Sequence, residues 1–403
     1  RTIAELRELR ELTGDDDGAQ RVCWTPTWRQ ARGWLADKMV EIGAEVHVDA
    51  AGNQWGTVRG RSPRALLVGG HIDSVPDGGW LDGSLNLLAG LEVMRRVAEE
   101  GPPGLTFRLV DWADEEGATF GVSLFGSSAA AGNLDPASAA GLLSRDGEPI
   151  RDVLARCGVE LDRIADSRSE LRDAVAYLEL HIEQGPVLES RDLPLAVVAG
   201  TFGAERWQLS FSGQTAHAGS TPMDQRQDAF LAAARLALEV REIATAEGGV
   251  GTVGTVRLRP GIVNAVPGRC RISVDLRHLD AGGLSRMLQR TLASAEEIAA
   301  GEGVEVTRER LWRIDPIPFD GELIALAREA VEEVAGQAPI LPSGPLHDAA
   351  EASRAGLRTV MLFVQSLRGL SHTREEDTRE DHLRLSVQAL DVLTRKAMQS
   401  LAT

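Results

Sequence analysis

The segment ALLVGGHIDSVPDGGWLDGSLN, residues 65–86, passes from an apolar run into a glycine-rich turn. The run 65–70 is typical of a buried strand because it is continuous, apolar and bounded by glycines. His71 follows this run directly, Asp73 lies two residues later, and Asp82 lies nine residues after Asp73. Because ligands in open α/β sheets bind beyond the carboxyl ends of the strands, this order predicts a functional loop.

Strand and helix patterns alternate along most of the remaining chain. Further buried strands are predicted over 105–112, 177–183 and 358–364. Helices are predicted over 26–42, 86–100, 322–335 and 385–402. This alternation favours an α/β fold with a mostly parallel sheet that is covered by helices.

The pattern changes between about 206 and 317. Here a strand, a helix, two strands, a helix and a last strand follow one another, which indicates a small two-layer α+β domain. The two helices are predicted near 226–246 and 283–301, and the last strand near 304–308. A chain of 403 residues is long enough for two or three cores. We therefore expect a larger domain that combines 1–205 with 318–403, and an inserted domain that spans 206–317.

Composition and charge exclude several classes of protein. With 43% hydrophobic and 26% charged residues, the chain is typical of a globular protein. A net charge of -17 disfavours nucleic acid as a partner. No apolar run is long enough to cross a bilayer, and the N-terminal segment predicts a charged amphipathic helix rather than a signal peptide. We therefore expect a cytoplasmic protein without a membrane partner, with Cys23, Cys157 and Cys270 as reduced thiols.

Three of the eight histidines, His71, His181 and His372, each follow an apolar run. Taken alone, each such histidine is more often a structural residue than a metal ligand. Acidic residues in similar positions change this interpretation. Asp82 lies in a glycine-flanked turn, and three consecutive carboxylates, Asp114, Glu115 and Glu116, follow a predicted strand. Adjacent carboxylates repel one another unless a cation neutralises them, although a solvated loop would also explain this sequence.

Together these residues form a candidate set of metal ligands: His71, Asp82, Glu116, His181 and His372. Two divalent ions that share one carboxylate need about this number of nitrogen and oxygen ligands. Asp73 could accept a hydrogen bond from the ring nitrogen of His71 that faces away from the metal. The predicted cofactors are two divalent ions per subunit, zinc first, with manganese, cobalt or nickel as alternatives.

The sequence resembles the metal-dependent amidohydrolases of the M20 peptidase-like group. Within that group it is similar to the branch of N-carbamoyl-L-amino acid hydrolases, β-ureidopropionases and allantoate amidohydrolases. Eight motifs carry the resemblance in the family's order: GGHIDSVPDGGWLDG, DEEGATFGVSLFGS, HIEQGPVLE, TAHAGSTPMDQRQDA, PGIVNAVPG, DLRH, SGPLHDAAEASRAG and GLSHTREED. One histidine-x-aspartate motif is weak, whereas eight ordered motifs over almost the whole chain are specific.

The resemblance implies a zinc-exopeptidase-like catalytic domain in which Asp82 bridges the two metals. His71, Glu116 or His181, and His372 would then be the other ligands, with Glu115 as the general base. The resemblance also implies a homodimer, with the inserted domain acting as a lid and a contact surface. His217 would reach the active site of the neighbouring subunit and stabilise the anionic intermediate; the alternative is a histidine that caps the turn after it.

The residues expected to bind substrate come from several motifs. Arg277 suits a substrate carboxylate because its guanidinium can bind both oxygens, although a salt bridge on a surface strand is the alternative. The resemblance adds Asn264 and Gln184, the latter from an IEQG sequence typical of the ureido-cleaving branch. His347 is expected near the site, as either a substrate contact or a supporting residue.

The expected activity is hydrolysis of an N-carbamoyl-L-amino acid to the amino acid, ammonia and carbon dioxide. Allantoate or another ureido acid is the nearest alternative substrate, followed by N-acyl amino acids or dipeptides. A metal-binding protein without activity is a third possibility. Three positions depart from the family's pattern and are expected to border the substrate pocket: Asn86, Ser128 and Pro345 with Leu346.

Overall fold

The structure, a computed structural model, describes residues 1–402. Within these residues the strands are, in chain order, β1 (Gly14–Asp15), β2 (Gly18–Ala19), β3 (Glu45–Val48), β4 (Gln54–Val58), β5 (Ser62–Gly70), β6 (Leu105–Asp111), β7 (Ala174–Ile182), β8 (Leu195–Thr201), β9 (Gly203–Ser212), β10 (Ala216–His217), β11 (Val250–Arg259), β12 (Ala265–Val266), β13 (Arg269–His278), β14 (Glu305–Ile314), β15 (Ile317–Pro318), β16 (Ile340–Ser343) and β17 (Arg358–Val364). The α-helices are α1 (Thr2–Thr13), α2 (Pro26–Glu41), α3 (Ser84–Glu99), α4 (Phe125–Ala131), α5 (Pro136–Ala139), α6 (Ile150–Ala155), α7 (Val187–Ser190), α8 (Ala229–Glu247), α9 (Ala281–Gly301), α10 (Gly321–Ala335), α11 (Asp348–Arg354) and α12 (Glu380–Leu401). Short 3-10 helices cover Leu161–Leu171, Met223–Gln225 and Leu367–Gly369.

The chain divides into two units. The first unit combines Arg1–Ala199 with Phe319–Thr403, and the second unit is Gly200–Pro318. The predicted insertion, 206–317, starts inside β9. The predicted boundary lies later than the observed one. The first residues of β9 are glycine, alanine and glutamate, which lack the alternation of apolar and polar residues that predicts the rest of the strand.

The large sheet has the strand order β15-β8-β17-β7-β5-β6-β4-β3, and β16 pairs with β8. Its four central strands, β17, β7, β5 and β6, are parallel. The outer strands β8, β4 and β3 pair antiparallel with their neighbours. The predicted α/β class is therefore confirmed, with the parallel arrangement confined to the centre. At the β3–β4 edge a short turn joins the strands, and only an antiparallel pair allows such a connection.

The four predicted strands, 65–70, 105–112, 177–183 and 358–364, correspond to these central strands. The predicted helices 26–42, 86–100, 322–335 and 385–402 correspond to α2, α3, α10 and α12. Leu66, Leu67 and Val68 of β5 are fully buried, as expected for a parallel strand whose two faces are covered. The core of the first unit thus lies around the strands that end at the candidate site.

The second unit contains an antiparallel sheet with the order β11-β13-β9-β14. Helices α8 and α9, which correspond to the predicted helices 226–246 and 283–301, pack on one face of this sheet. Phe211, Ile272 and Val274 lie in the core between the two layers. The predicted last strand, 304–308, is the start of β14.

Two further expectations concern the whole chain. Among residues 1–402, no helix is long and apolar enough to cross a membrane. Cys23, Cys157 and Cys270 are all free thiols.

Candidate metal centre

The loop after β5 brings Asp82 back to His71. Gly83, which follows Asp82, has φ of 64°. A Cβ atom at Gly83 would lie 2.2 Å from the carbonyl oxygen of His71 and 2.5 Å from its ring. The backbone can therefore return this close to His71 only because residue 83 is glycine.

His71, Asp82 and His181 form a first group of potential ligands. The Oδ1 atom of Asp82 lies 3.5 Å from Nε2 of His71 and 3.1 Å from Nε2 of His181. The Nδ1 atoms of both histidines donate to backbone carbonyls, those of Asp73 and Ile182. In the neutral form of each ring this leaves Nε2, which faces Asp82, as the electron-pair donor that a metal ligand requires.

A second group combines Asp82 with Glu116 and His372. Nε2 of His372 lies 3.5 Å from Oδ2 of Asp82 and 3.4 Å from Oε2 of Glu116. In each of the two groups, one ligand atom per residue lies within 4.8 Å of the others. Asp82 belongs to both groups, and its two oxygens face different partners. This is the arrangement that two cations bridged by one carboxylate would need.

Backbone strain is concentrated around these groups. Asp114, Gln184 and His372 are non-glycine residues with φ of 56°. This left-handed conformation is uncommon for such residues and persists only where the surrounding structure holds it. The loops that carry the site are therefore held in these conformations by their contacts.

The buried charges of the centre fit a divalent cation. Burial, together with repulsion from Asp82, raises the pKa of Glu116 to about 8. Burial also raises the pKa of Glu115 well above its usual range. The Nε2 atom of His71 and the Oε1 atom of Glu116 are buried without a hydrogen-bond partner. Because unpaired buried donors and acceptors are rare, these histidine and carboxylate atoms could hold divalent metal ions.

Glu115 lies beside the two groups that share Asp82. Its Oε2 atom is 3.7 Å from Nε2 of His71, and its side chain is buried. Glu115 also forms a separate cluster of potential ligands with His71 and Glu116. The geometry is therefore compatible with a proton-transfer role and with metal binding by Glu115.

Asp73 contacts His71 differently from the prediction. The hydrogen bond from Nδ1 of His71 goes to the backbone carbonyl of Asp73 at 3.1 Å, whereas the carboxylate is 3.7 Å away. The carboxylate instead accepts hydrogen bonds from the backbone amides of Glu115 and Glu116, both at 3.3 Å. Asp73 thus orients the acidic loop as well as the histidine.

Gln184 and His347 both lie at the centre. Nε2 of Gln184 donates to Oδ2 of Asp82 at 2.9 Å and to the hydroxyl of Ser371 at 3.1 Å. The ring of His347 is buried, with its centroid 4.3 Å from that of His181. Its Nε2 atom has no hydrogen-bond partner. Gln184 therefore contacts the shared carboxylate directly, while His347 lies against the ring of His181.

His217, Asn264 and Arg277 belong to the second unit. His217 is exposed in β10, opposite Ala265 of β12. Nε of Arg277 donates to Oδ1 of Asp275 at 2.8 Å on the same strand. The salt bridge that the sequence left open for Arg277 is therefore present.

Two site residues were missed from the sequence. Glu376 accepts hydrogen bonds from the backbone amides of Leu81 at 3.2 Å and Asp82 at 3.0 Å. The hydroxyl of Ser371 lies within hydrogen-bond distance of both Asp82 and Glu376. A Cβ atom at Gly79 would lie 2.0 Å from the Glu376 carboxylate, so glycine is needed there. The motif GLSHTREED, which surrounds His372, was the available signal.

Arg21 was also missed. This fully buried arginine donates to the carbonyl oxygen of Ile72 and to the hydroxyl of Ser84, both at 2.7 Å. Burial lowers its pKa to about 10, while the carboxylates of Glu376 and Asp73 oppose that shift. Arg21 therefore places a fixed positive charge near the acidic centre.

Asn86, which departs from the family's pattern, lies in α3. Its Oδ1 atom accepts a hydrogen bond from the amide of Leu180, next to His181 in β7. A Cβ atom at Gly70 would lie 2.5 Å from the Asn86 amide nitrogen. Asn86 thus links α3 to the strand that carries His181.

The other positions that depart from the family's pattern lie elsewhere in the chain. Ser128 lies in α4, and the carbonyl oxygen of Pro345 accepts a hydrogen bond from the hydroxyl of Ser343.

Comparison with known proteins places the chain in a family. The profile of Peptidase family M20/M25/M40 matches residues 67–396. The chain belongs to this family. The resemblance predicted from the eight motifs is therefore confirmed.

Among M20 relatives, the chain is 37% identical to the N-carbamoyl-L-amino acid amidohydrolase of Geobacillus stearothermophilus over 385 residues, which cover 93% of each protein. It is 31% identical to the allantoate amidohydrolase of Escherichia coli K12, over 93% of this chain and 92% of that enzyme. An amidase of the hydantoinase/carbamoylase family from Burkholderia multivorans superposes with a TM-score of 0.88 at 31% identity, covering 98% and 97% of the two chains.

Proposed function

We propose that this M20 protein is a metal-dependent amidohydrolase that cleaves a linear ureido C–N bond. The first substrate class is N-carbamoyl-L-amino acids, which would yield the amino acid, ammonia and carbon dioxide. The similarity to the Geobacillus enzyme supports this choice, and the similarity to the E. coli enzyme supports allantoate as the second candidate. The structural observation that carries the proposal is the position of Asp82 between two groups of potential ligands.

We assign two divalent ions to each subunit, with zinc as the first choice and manganese, cobalt or nickel as alternatives. His71, Asp82 and His181 would hold one ion, and Asp82, Glu116 and His372 would hold the other. When bound, such ions polarise the substrate carbonyl and lower the pKa of water to near neutrality.

The residues of the chain supply the remaining chemistry. Glu115 is the general base, which accepts the proton of the attacking water and returns it to the leaving nitrogen. Its position next to His71, outside both groups that share Asp82, supports this role. Asp73 orients Glu115 through its backbone amide. Gln184 and Ser371 donate to one oxygen of Asp82 and thereby fix the orientation of the shared carboxylate.

The second unit contributes substrate-binding groups. Arg277 binds the substrate carboxylate together with Asn264, and His217 donates to the developing oxyanion. His347 is assigned to the substrate side of His181. In this proposal His217 acts in the active site of the neighbouring subunit of a homodimer.

Exposed apolar side chains support the dimer. Leu238 on α8 is 68% exposed, and Phe230 and Leu231 on the same helix are also exposed. Val250 and Val256 are exposed on β11, which is an edge strand of its sheet. Exposed apolar side chains and an unpaired strand edge are features that protein–protein contacts use. The free cysteines support the expected cytoplasmic location, where thiols stay reduced.

A substrate panel tests the proposal. Protein reconstituted with zinc or manganese is assayed for ammonia release from N-carbamoyl-L-amino acids and from allantoate. N-acetyl amino acids and dipeptides are assayed in parallel for amine release. Turnover of a ureido substrate is expected, with loss of activity in the Glu115→Gln variant. Turnover of acetyl or dipeptide substrates alone would replace the ureido assignment with a deacylase or peptidase.

A further inference from the structure

A group of four arginines lies on the sheet of the second unit. Arg257 stands directly opposite Arg271, and Arg259 stands directly opposite Arg269, on the neighbouring strands β11 and β13. All four side chains are exposed. We call these four residues the arginine cluster.

All four side chains lie on the same face of the sheet. Residues that are directly opposed in an antiparallel pair share a face, as do residues two apart along a strand. The next strand, β9, places Ser212 opposite Arg269 and Ser210 opposite Arg271. The alternate residues Cys270 and Ile272 point into the core on the other face. The arginine cluster and the two serines therefore line one concave surface, with a cavity of about 220 Å³.

Other arginines of the same sheet have carboxylate partners. Arg206 and Arg277 both pair with Asp275. Arg310 and Arg313 both lie within ion-pair distance of Glu205. Within residues 1–402, by contrast, no carboxylate forms an ion pair with any member of the arginine cluster. Glu305 of β14 lies opposite Ser212 of β9, so β9 separates it from the arginine cluster. Glu305 forms no ion pair with the cluster.

Uncompensated arginines at this position carry an energetic cost. Like charges directly opposite each other on neighbouring strands destabilise a sheet, and here two such pairs are adjacent. An anion with two or more charges would reduce this repulsion. Guanidinium groups and hydroxyls are the donors that recognise a phosphate group, since both can hydrogen-bond to its oxygens.

We propose that the arginine cluster, with Ser210 and Ser212, is a binding site for a phosphate group, either as free phosphate or as the phosphoryl group of a small metabolite. None of the four arginines is among the proposed metal ligands or substrate contacts, although Asn264 lies on the connection between β11 and β13 and Arg277 lies further along β13. Its occupant offsets part of the positive charge of the cluster and stabilises the second unit.

The test is calorimetric titration of inorganic phosphate into the full-length metal-loaded protein at constant ionic strength. The variant Arg257→Gln/Arg271→Gln is expected to bind phosphate about tenfold more weakly or worse, because two charge-assisted hydrogen bonds are removed. The control Arg310→Gln/Arg313→Gln removes two arginines of the same sheet and should bind like the unaltered protein. Phosphate bound at the metal centre would persist in both variants and is thereby distinguished.

Further titrations identify the source of the phosphate group. Glycerol phosphate that binds at least as tightly as inorganic phosphate would indicate a phosphorylated metabolite, whereas binding of inorganic phosphate alone would indicate the free ion. The proposal is overturned if chloride competes equally or if both double variants weaken binding to the same extent. It is also overturned if Arg257→Gln/Arg271→Gln leaves phosphate binding intact and instead lowers the oligomeric mass in light scattering.

Discussion

Glu376 accepts a hydrogen bond from the backbone amide of Asp82 at 3.0 Å, although 294 residues separate the two in the chain. The same carboxylate accepts a hydrogen bond from the backbone amide of Leu81. The Ser371 hydroxyl lies within hydrogen-bond distance of both the Glu376 and the Asp82 side chains. Burial raises the pKa of Glu376 to about 7, which reflects its position in the acidic centre. Glu376 thus fixes the loop that carries the shared carboxylate.

Replacement of Glu376 by alanine should weaken metal binding by about 10- to 100-fold, as is typical when a partner of a metal ligand is lost. Glu376→Gln should be milder because its amide oxygen can still accept from the two backbone amides. Metal affinity is measured by competition with a chelator. The control is Glu375→Ala, which removes an exposed carboxylate paired with Arg368. Equal affinities in Glu376→Ala and Glu375→Ala would show that the contact has no role in metal binding.

Glu115→Gln should retain the bound metal and lose most turnover, because only the proton-transfer group is removed. The loss is expected to be at least about 100-fold in kcat, the usual contribution of general acid–base catalysis. Metal content by atomic emission is measured beside kcat. Since Glu115 also lies within ligand distance of His71 and Glu116, a parallel loss of metal would identify it as a ligand.

Gly83→Ala should unfold the site loop or displace His71. The substitution combines a left-handed backbone with a clash against the carbonyl oxygen of His71. Gly101→Ala is the matched control, since Gly101 has φ of 86° but open space around its Cβ position. The control should lose about 1 kcal/mol of unfolding free energy from backbone strain alone. Denaturant titration and metal content are measured for both, and equal losses in the two variants would exclude the clash.

The sequence predicted those parts of the site that lie at the ends of buried strands. His71 and the acidic loop after β6 follow strands whose apolar runs are continuous, and His181 lies near the end of a third. Because parallel strands end at a common edge, these residues could be expected to meet. His372 was also expected directly after a strand, but it lies eight residues beyond the end of β17, after the 3-10 helix Leu367–Gly369.

Other contacts could not be predicted because sequence patterns do not specify them. Arg21 reaches Ser84 across 63 residues, and no periodicity indicates where a buried arginine will find its acceptors. The spacing of His71 and Asp73 allowed a contact through either the carboxylate or the backbone carbonyl of Asp73. The antiparallel edges of the sheet were missed for a similar reason, since apolar patterning indicates burial and not strand direction.

Arg277→Lys should raise KM for substrates with a free α-carboxylate and have little effect on the corresponding amides. A lysine cannot make the two parallel hydrogen bonds that a guanidinium makes to a carboxylate. The existing pair with Asp275 makes a structural role the competing explanation. Arg206→Lys, which alters the other arginine bound to Asp275, is therefore the control. If both Arg277→Lys and Arg206→Lys affect acids and amides alike, Arg277 stabilises the sheet and does not bind substrate.

Removal of metal should make stability depend on pH in a specific direction. In the metal-free protein, burial raises the pKa of Glu116 from its ordinary 4.5 to about 8. The folded state then holds more protons than the unfolded state between these values, so the free energy of unfolding falls as pH rises through that range.

A bound divalent cation neutralises the carboxylates and should abolish this dependence. Melting temperature is measured from pH 5 to about 8, with and without a chelator, over the window set by this pKa shift. The difference between the two forms should widen toward the upper end. Glu116→Gln should reduce the slope of the metal-free curve because one titrating group is gone, while Glu376, with a pKa of about 7, still titrates. A metal-free protein whose melting temperature rises steadily over the same range would contradict the acidic, cation-dependent centre.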